Sequence, residues 1–272
     1  MTSPYDDLDR PPLDVDALTH AVVRPDGLWR SVTVVDETAS TNADLADLAR
    51  AGAAEGLVLV AESQTGGRGR LGRTWTAPPR SGVTVSVLLR PPVPAVSWPW
   101  LPLLTGLAVV EGVRRIADLP AELKWPNDVL VNDRKLAGIL LERVETASGP
   151  AAVVGVGINV SLRDDERPVP EATSLALEGV AAPDRTVVLR EVLRVLEQLY
   201  AAWVAGGDDA GSGLAESYAR RCSTVGRQVR IDVPTGSAVV GTAVRVDDDG
   251  RLVVATSSGE VAVGAGDVVH VR

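Results

Sequence analysis

The chain has 272 residues, a formal net charge of −9, 45% hydrophobic residues and 23% charged ones, enough to bury a sizeable core in one large domain or a large and a small one. A single cysteine, Cys222, excludes a disulfide framework and a cysteine-rich metal site, and the two histidines, His20 and His270, stand at opposite ends in unrelated contexts. No apolar run is long enough to span a bilayer, the start MTSPYDDLDRPPLD carries no signal pattern, and the acidic balance opposes general nucleic-acid binding; a cytoplasmic protein with no membrane and no nucleic-acid partner is expected.

Phe is absent, so the core must be Val, Leu, Ala and Ile with a few Trp. Residues 1–12 read as a disordered acidic tail, and LDVDALTHAVV (13–23) as a short helix. A strand over 29–38 is followed by STNADLADLARAG, where Ser40, Thr41 and Asn42 are N-cap residue types and Leu45, Leu48 and Ala49 share a helical face. GLVLVAESQ (56–64) and GVTVSVLLR (82–90) read as strands, the first buried, and LPLLTGLAVVEGVRRIADL (101–119) as a largely apolar helix. AELKWPND leads into a hairpin, VLVNDRKLAGILLERV (129–144), with its turn at NDRK. GPAAVVGVGINV (149–160) is a buried strand ending in small residues, and residues 186–204 form an amphipathic helix with Leu189, Val192, Leu193, Leu196, Leu199, Tyr200 and Trp203 recurring at helical spacing. Beyond Cys222 come four short strands with DDDG as a turn, a small all-β unit of about 50 residues whose five Arg against six Asp and Glu give it no basic face; a docking or packing module is the plain reading.

The loop GGRGRLGRTW (66–75) places four glycines and three arginines straight after an apolar strand. GRGRLG matches the dinucleotide pattern G-x-G-x-x-G, but it runs on into RTWTAPPRSG rather than into a helix, so that reading fails, and no P-loop pattern occurs. A solvated surface loop would tolerate three arginines. An anion would use them: glycines let backbone amides approach a ligand, and Arg68, Arg70 and Arg73 can pair with carboxylate or phosphate in two-pronged fashion. In KWPND (124–128), Lys124 suits phosphates and Asp128 a magnesium ion, or the pair simply shapes a hairpin approach. Seven residues on, Lys135 is either a solvated hairpin charge or a ligand cation, and Ala137-Gly138 lets something approach its strand.

STN (40–42), AESQTGGRGRLGRTW (61–75), KWPNDV (124–129), RKLAGILLE (134–142) and GVGINV (155–160) stand in one order, and together they resemble the biotin protein ligases. The resemblance spans about residues 30–270. It implies an α+β fold: a central mixed β-sheet flanked by helices, class II synthetase-like, and then an SH3-like β-barrel, giving an acidic N-terminal tail with a short helix (1–27), a catalytic domain (28–221) and a C-terminal β domain (222–272). It implies ATP and biotin as substrates with Mg²⁺, formation of biotinyl-5′-AMP, and transfer of biotin to one lysine of a biotin carboxyl carrier domain of an acyl-CoA carboxylase, by a monomer or homodimer. By the same resemblance Ser40, Thr41, Asn42, Gln64, Arg68, Gly69, Arg70, Lys135 and Gly138 line the biotin site. Arg68, Arg70, Arg73, Trp75, Lys124, Asn127, Gly157 and Asn159 serve the nucleotide, with Gly155 beside them. Lys135, Arg70 and Asp128 act in the chemistry, with Asp128 as metal ligand or as acceptor of the lysine's proton. The alternatives are a lipoate ligase or octanoyltransferase on a similar core, and a non-catalytic biotin sensor that needs the pocket but not Lys135. The acidic segment of about 30 residues before the core is too short for the N-terminal helix-turn-helix of some relatives, so DNA binding is not expected.

Overall fold

The structure, a computed structural model, describes residues 9–206, 210–233 and 237–271. Val- and Leu-rich segments form the middle of a seven-stranded mixed sheet. Its strands are β1 (Ser31–Thr38), β2 (Leu57–Gln64), β3 (Gly82–Leu89), β4 (Ala121–Lys124), β5 (Asp128–Val131), β6 (Arg134–Val144) and β7 (Ala151–Asn159), in the order β1-β2-β3-β7-β6-β5-β4. β1 and β2 are parallel, joined by α2 (Thr41–Arg50); every other pairing is antiparallel. The β5–β6 turn falls on Asn132 and Asp133, both with positive φ (51° and 59°), the backbone that a tight hairpin demands and that Asn and Asp tolerate.

α1 (Val15–Val22), α3 (Trp100–Ile116) and α4 (Arg185–Ala205) cover one face of the sheet. The apolar stripe read from residues 186–204 is the buried face of α4, with Val188 and Val195 added to it and Leu199 only partly buried at its edge. α2 covers part of the other face through Leu45, Ala46 and Ala49, packed on Leu59, Leu88 and Val153. The rest of that face is polar, and there the site lies. The C-terminal strands β8 (Gln228–Asp232), β9 (Val239–Val246), β10 (Leu252–Thr256), β11 (Gly259–Val263) and β12 (Asp267–His270) form a five-stranded antiparallel sheet in the order β11-β10-β9-β8-β12, the SH3-like unit. The DDDG turn packs it onto the rest: Trp125 Nε1 donates to the Gly250 carbonyl at 3.0 Å and Trp100 Nε1 to that of Asp248 at 2.6 Å.

Three elements go beyond the reading of the sequence. β4 hides in the approach to KWPND as four residues alternating in burial; β11 opens on a glycine and is largely exposed; α5 (Ala210–Ala219) contains two glycines. The disordered stretch expected over 1–12 is corrected where it is described, residues 1–8 lying outside the described residues. Arg10 pairs with Glu166 at 2.5 Å and donates to the Ser161 carbonyl, and the N–H of Leu13 donates to buried Glu62. Glu62 in turn holds Arg185 at 2.5 Å, each side chain only 5% exposed, so this segment is strapped down through a buried ion pair.

Candidate active site

A cavity opens on the polar face of the seven-stranded sheet. It is walled by the start of α2, the loop after β2, the KWPND turn, β6 and β7, and Gly266 and Asp267 of the small sheet. The topology makes it: β2, β3, β7 and β6 are neighbours, so residues up to a hundred positions apart stand side by side.

One wall is a chain of buried polar groups. Asn42 and Thr41 are 4% and 2% exposed, and Ser86 is fully buried. Gln64 Oε1 accepts from the Thr41 N–H at 2.8 Å. Thr41 Oγ1 lies 2.7 Å from Ser86 Oγ, which donates to Asn42 Oδ1 at 2.6 Å. Asn42 Nδ2 donates to Glu142 at 2.7 Å. Ser40 sits at the N-cap position of α2, yet its side chain makes no capping bond to the helix. Gly155 leaves room for the Asn42 amide; a Cβ there would lie 2.3 Å from Asn42 Oδ1.

The opposite wall is cationic. Arg70 donates to Asn127 Oδ1 at 2.8 Å, and Asn127 donates from Nδ2 to Asp128 at 3.1 Å. Asp128 pairs with Lys135 Nζ at 2.8 Å, across the β5–β6 hairpin. Lys135 Nζ stands 5.9 Å from the centre of the Trp75 ring, and Trp75 lies on the bare backbone of Gly157 and Gly138, where a Cβ would come within 2.3 Å and 3.3 Å of the indole. Arg73 reaches over to Asp267 and is bonded to it. That bond raises the pKa of Arg73 and holds the Asp267 carboxyl below its ordinary value. Burial pushes the Arg70 guanidinium down, with Asp128 and Asp267 opposing it. Among the described residues four cations (Arg68, Arg70, Arg73, Lys135) line the cavity against two carboxylates (Asp128, Asp267), a locally positive site in an acidic chain.

The loop itself is folded back on itself. Arg68 bridges to Thr74, and the Trp75 N–H donates to the Gly67 carbonyl. A Cβ at Gly67 would lie 2.3 Å from the Trp75 carbonyl oxygen, so this close approach needs glycine. A short helical turn at Arg70–Gly72 gives way to extended backbone, in keeping with rejection of the dinucleotide pattern.

The cavity thus brings together Ser40, Thr41, Asn42, Gln64, Arg68, Gly69, Arg70, Arg73, Trp75, Asn127, Asp128, Lys135, Gly138, Gly155 and Gly157. It does not reach Lys124 or Asn159. Lys124 acts at a distance, on the charge of Asp267 and His270, and Asn159 is 5% exposed at the end of β7. Sequence reasoning missed Thr84, Ser86, Glu142 and Asp267. Thr84 and Ser86 had a signal, two hydroxyls at alternate positions of an apolar strand; Asp267, from another sheet, had none. Among the described residues no three His, Cys, Asp or Glu side chains cluster to hold a metal, and no helix is long and apolar enough to cross a membrane.

A mixed sheet with a cation-lined cavity, followed by an SH3-like unit, is the architecture of a chain that matches two family models: Biotin/lipoate A/B protein ligase family over residues 33–159, and Biotin protein ligase C terminal domain over residues 224–271. The chain is 46% identical to the biotin–[acetyl-CoA-carboxylase] ligase of Mycobacterium tuberculosis, over 97% of each chain. It is 34% identical to the bifunctional ligase/repressor BirA of Bacillus subtilis, over 86% of this chain and 72% of that one. Among solved structures, the Aquifex aeolicus biotin protein ligase in complex with biotin and ATP superposes with a TM-score of 0.76 at 28% identity, over 90% of this chain and 100% of that one. The chain belongs to the biotin protein ligase family.

Proposed function

We propose that the protein activates biotin with ATP to biotinyl-5′-AMP and passes the biotin to one lysine of the biotin carboxyl carrier domain of an acyl-CoA carboxylase. The observation that carries the reading is the division of one cavity into a polar wall and a cationic wall. The polar wall of Ser40, Thr41, Asn42 and Gln64 suits the ureido ring of biotin; Arg68, Gly69, Arg70, Lys135 and Gly138 face the valerate carboxylate and the α-phosphate. Trp75, Arg73, Asn127 and Gly157 take the nucleotide, while Lys124 and Asn159 lie outside the lining of this cavity.

The chemistry asks for such an arrangement. A carboxylate oxygen must attack the α-phosphorus, one anion approaching another, and the bond to pyrophosphate breaks. Arg70 and Lys135, held by Asn127 and Asp128, are preorganised to offset that repulsion, often the largest single contribution to catalysis. The amine of the acceptor lysine then attacks the acyl carbon of the mixed anhydride, loses a proton and expels AMP. Asp128, ion-paired at the cavity wall, is the proposed proton acceptor for that step.

Magnesium fits only loosely. Asp128 and Asp267 are the carboxylates of the cavity, and each already holds a cation, so a Mg²⁺ would be carried mainly by phosphate oxygens, with Asp128 as the one protein ligand proposed. When bound, the ion neutralises triphosphate charge. Pyrophosphate release with biotin and with lipoate as competing substrates tests the reading: release with biotin alone supports it, and release with lipoate alone moves the protein to the lipoate side of the family.

A further inference from the structure

Glu142 belongs to none of these roles, yet it ends the polar chain. It rises from β6 on the same side as Gly138 and Leu140, beneath the glycine-arginine loop. One carboxylate oxygen accepts from Asn42 Nδ2 at 2.7 Å, and the other pairs with Arg68 at 3.4 Å. We infer that Glu142 is a positioning residue that fixes the direction of the hydrogen-bond chain Asn42–Ser86–Thr41 and so makes Thr41 an acceptor toward the cavity, selecting a ligand ring that offers N–H donors.

The direction comes from donor counting. A carboxylate accepts and does not donate, so Asn42 must turn its NH₂ to Glu142 and its Oδ1 to Ser86. Ser86 spends its one proton on Asn42 and can then only accept from Thr41. Gln64 Oε1 is likewise fixed as an acceptor by the Thr41 N–H, and it lies 3.0 Å from the same hydroxyl. The hydroxyl of Thr41 therefore faces two acceptors. Its proton goes to one of them, and only lone pairs remain for the cavity. A ureido ring with two N–H groups satisfies them; a dithiolane ring or an alkyl chain leaves them buried and unpaired. With an amide at position 142 the chain can reverse: Asn42 flips, Ser86 donates to Thr41, and the Thr41 proton is free to turn inward.

This rests on the reading of the polar wall as a biotin site, so the test separates the two. Calorimetric Kd values are measured for biotin and for biotin methylated on a ureido nitrogen. The proteins are wild type, Glu142→Gln, Glu142→Asp, Ser86→Ala and the Ser86→Ala/Glu142→Gln double variant, with kcat and KM for pyrophosphate release alongside. Wild type should bind biotin and disfavour the methylated ring. Glu142→Gln should weaken biotin roughly tenfold, narrow the gap to the methylated ring, and change kcat by no more than about twofold. Glu142→Asp should recover part of the loss, and Glu142→Gln should add nothing once Ser86 is gone. Unchanged affinity and discrimination in Glu142→Gln, or an equal loss in the Ser86→Ala background, overturns the inference. Wild type that binds biotin but releases no pyrophosphate overturns the ligase reading alone; wild type that does not bind biotin overturns both.

Discussion

Gly155→Ala tests the packing that shapes the polar wall. The new Cβ would lie 2.3 Å from Asn42 Oδ1 and 3.0 Å from Asn42 Cγ. Ordinary contact needs about 3.4 Å, so the amide must retreat by about 1 Å. Asn42 is held by bonds of 2.6 Å to Ser86 and 2.7 Å to Glu142, and such a shift takes both out of range. Two buried hydrogen bonds at about 0.5–1.5 kcal/mol each, with stranded groups added, cost about 2–4 kcal/mol. The lower entropy of the unfolded alanine chain returns about 0.5–1 kcal/mol, leaving a net loss of about 1–3 kcal/mol. Scanning calorimetry should show a Tm lowered by roughly 2–5 °C. Gly213→Ala is the control, a helical glycine in α5 with nothing within 4 Å of its added Cβ, where the same change should stabilise by about 0.5–1 kcal/mol. The KM for biotin should rise in Gly155→Ala alone. A Gly155→Ala protein as stable as wild type, with unchanged KM, would show that the Asn42 amide is not pinned between Ser86 and Glu142.

Two further predictions concern charge. Arg185→Ala leaves Glu62 buried without its cationic partner and should destabilise by about 3–5 kcal/mol in urea unfolding, whereas Arg185→Met with Glu62→Met should recover most of that; equal losses would show that the stranded carboxylate is not the source of the loss. His270 is half-buried beside Arg227 and Lys124, and its pKa is lowered from 6.5 to about 4, chiefly by burial. The unfolded chain therefore takes up a proton below pH 6.5 that the folded chain refuses until about pH 4, so stability present above pH 6.5 is lost as the pH falls through that window. His270→Gln should flatten the stability–pH profile there, and an unaltered slope would contradict the assignment.

The strands of the main sheet were legible because β2 and β7 carry apolar runs and β3 sets Thr84 and Ser86 between valines, and α4 because its apolar residues keep helical spacing. β4 and β11 were not, since four- and five-residue strands carry too little pattern, and α5 was masked by its own glycines. The cationic half of the site was legible because glycines and arginines crowd into one loop and Lys135 comes just after a turn. Asp267 was not, because its bond to Arg73 joins residues 194 positions apart through the docking of a second sheet. Glu142 stood inside the motif RKLAGILLE, and only the register of β6 against β7, with α2 above it, shows that it faces Asn42.

The decisive experiment monitors pyrophosphate release and biotin transfer to a purified carrier domain, with ATP and Mg²⁺, for wild type, Lys135→Ala and Arg70→Gly. Wild type should transfer biotin, and Lys135→Ala should fail to form the adenylate. Arg70→Gly, which loses the bond to Asn127, should form the adenylate and release it early. Wild type that binds biotin without ever releasing pyrophosphate would contradict the ligase reading, and the cavity would then belong to a sensor.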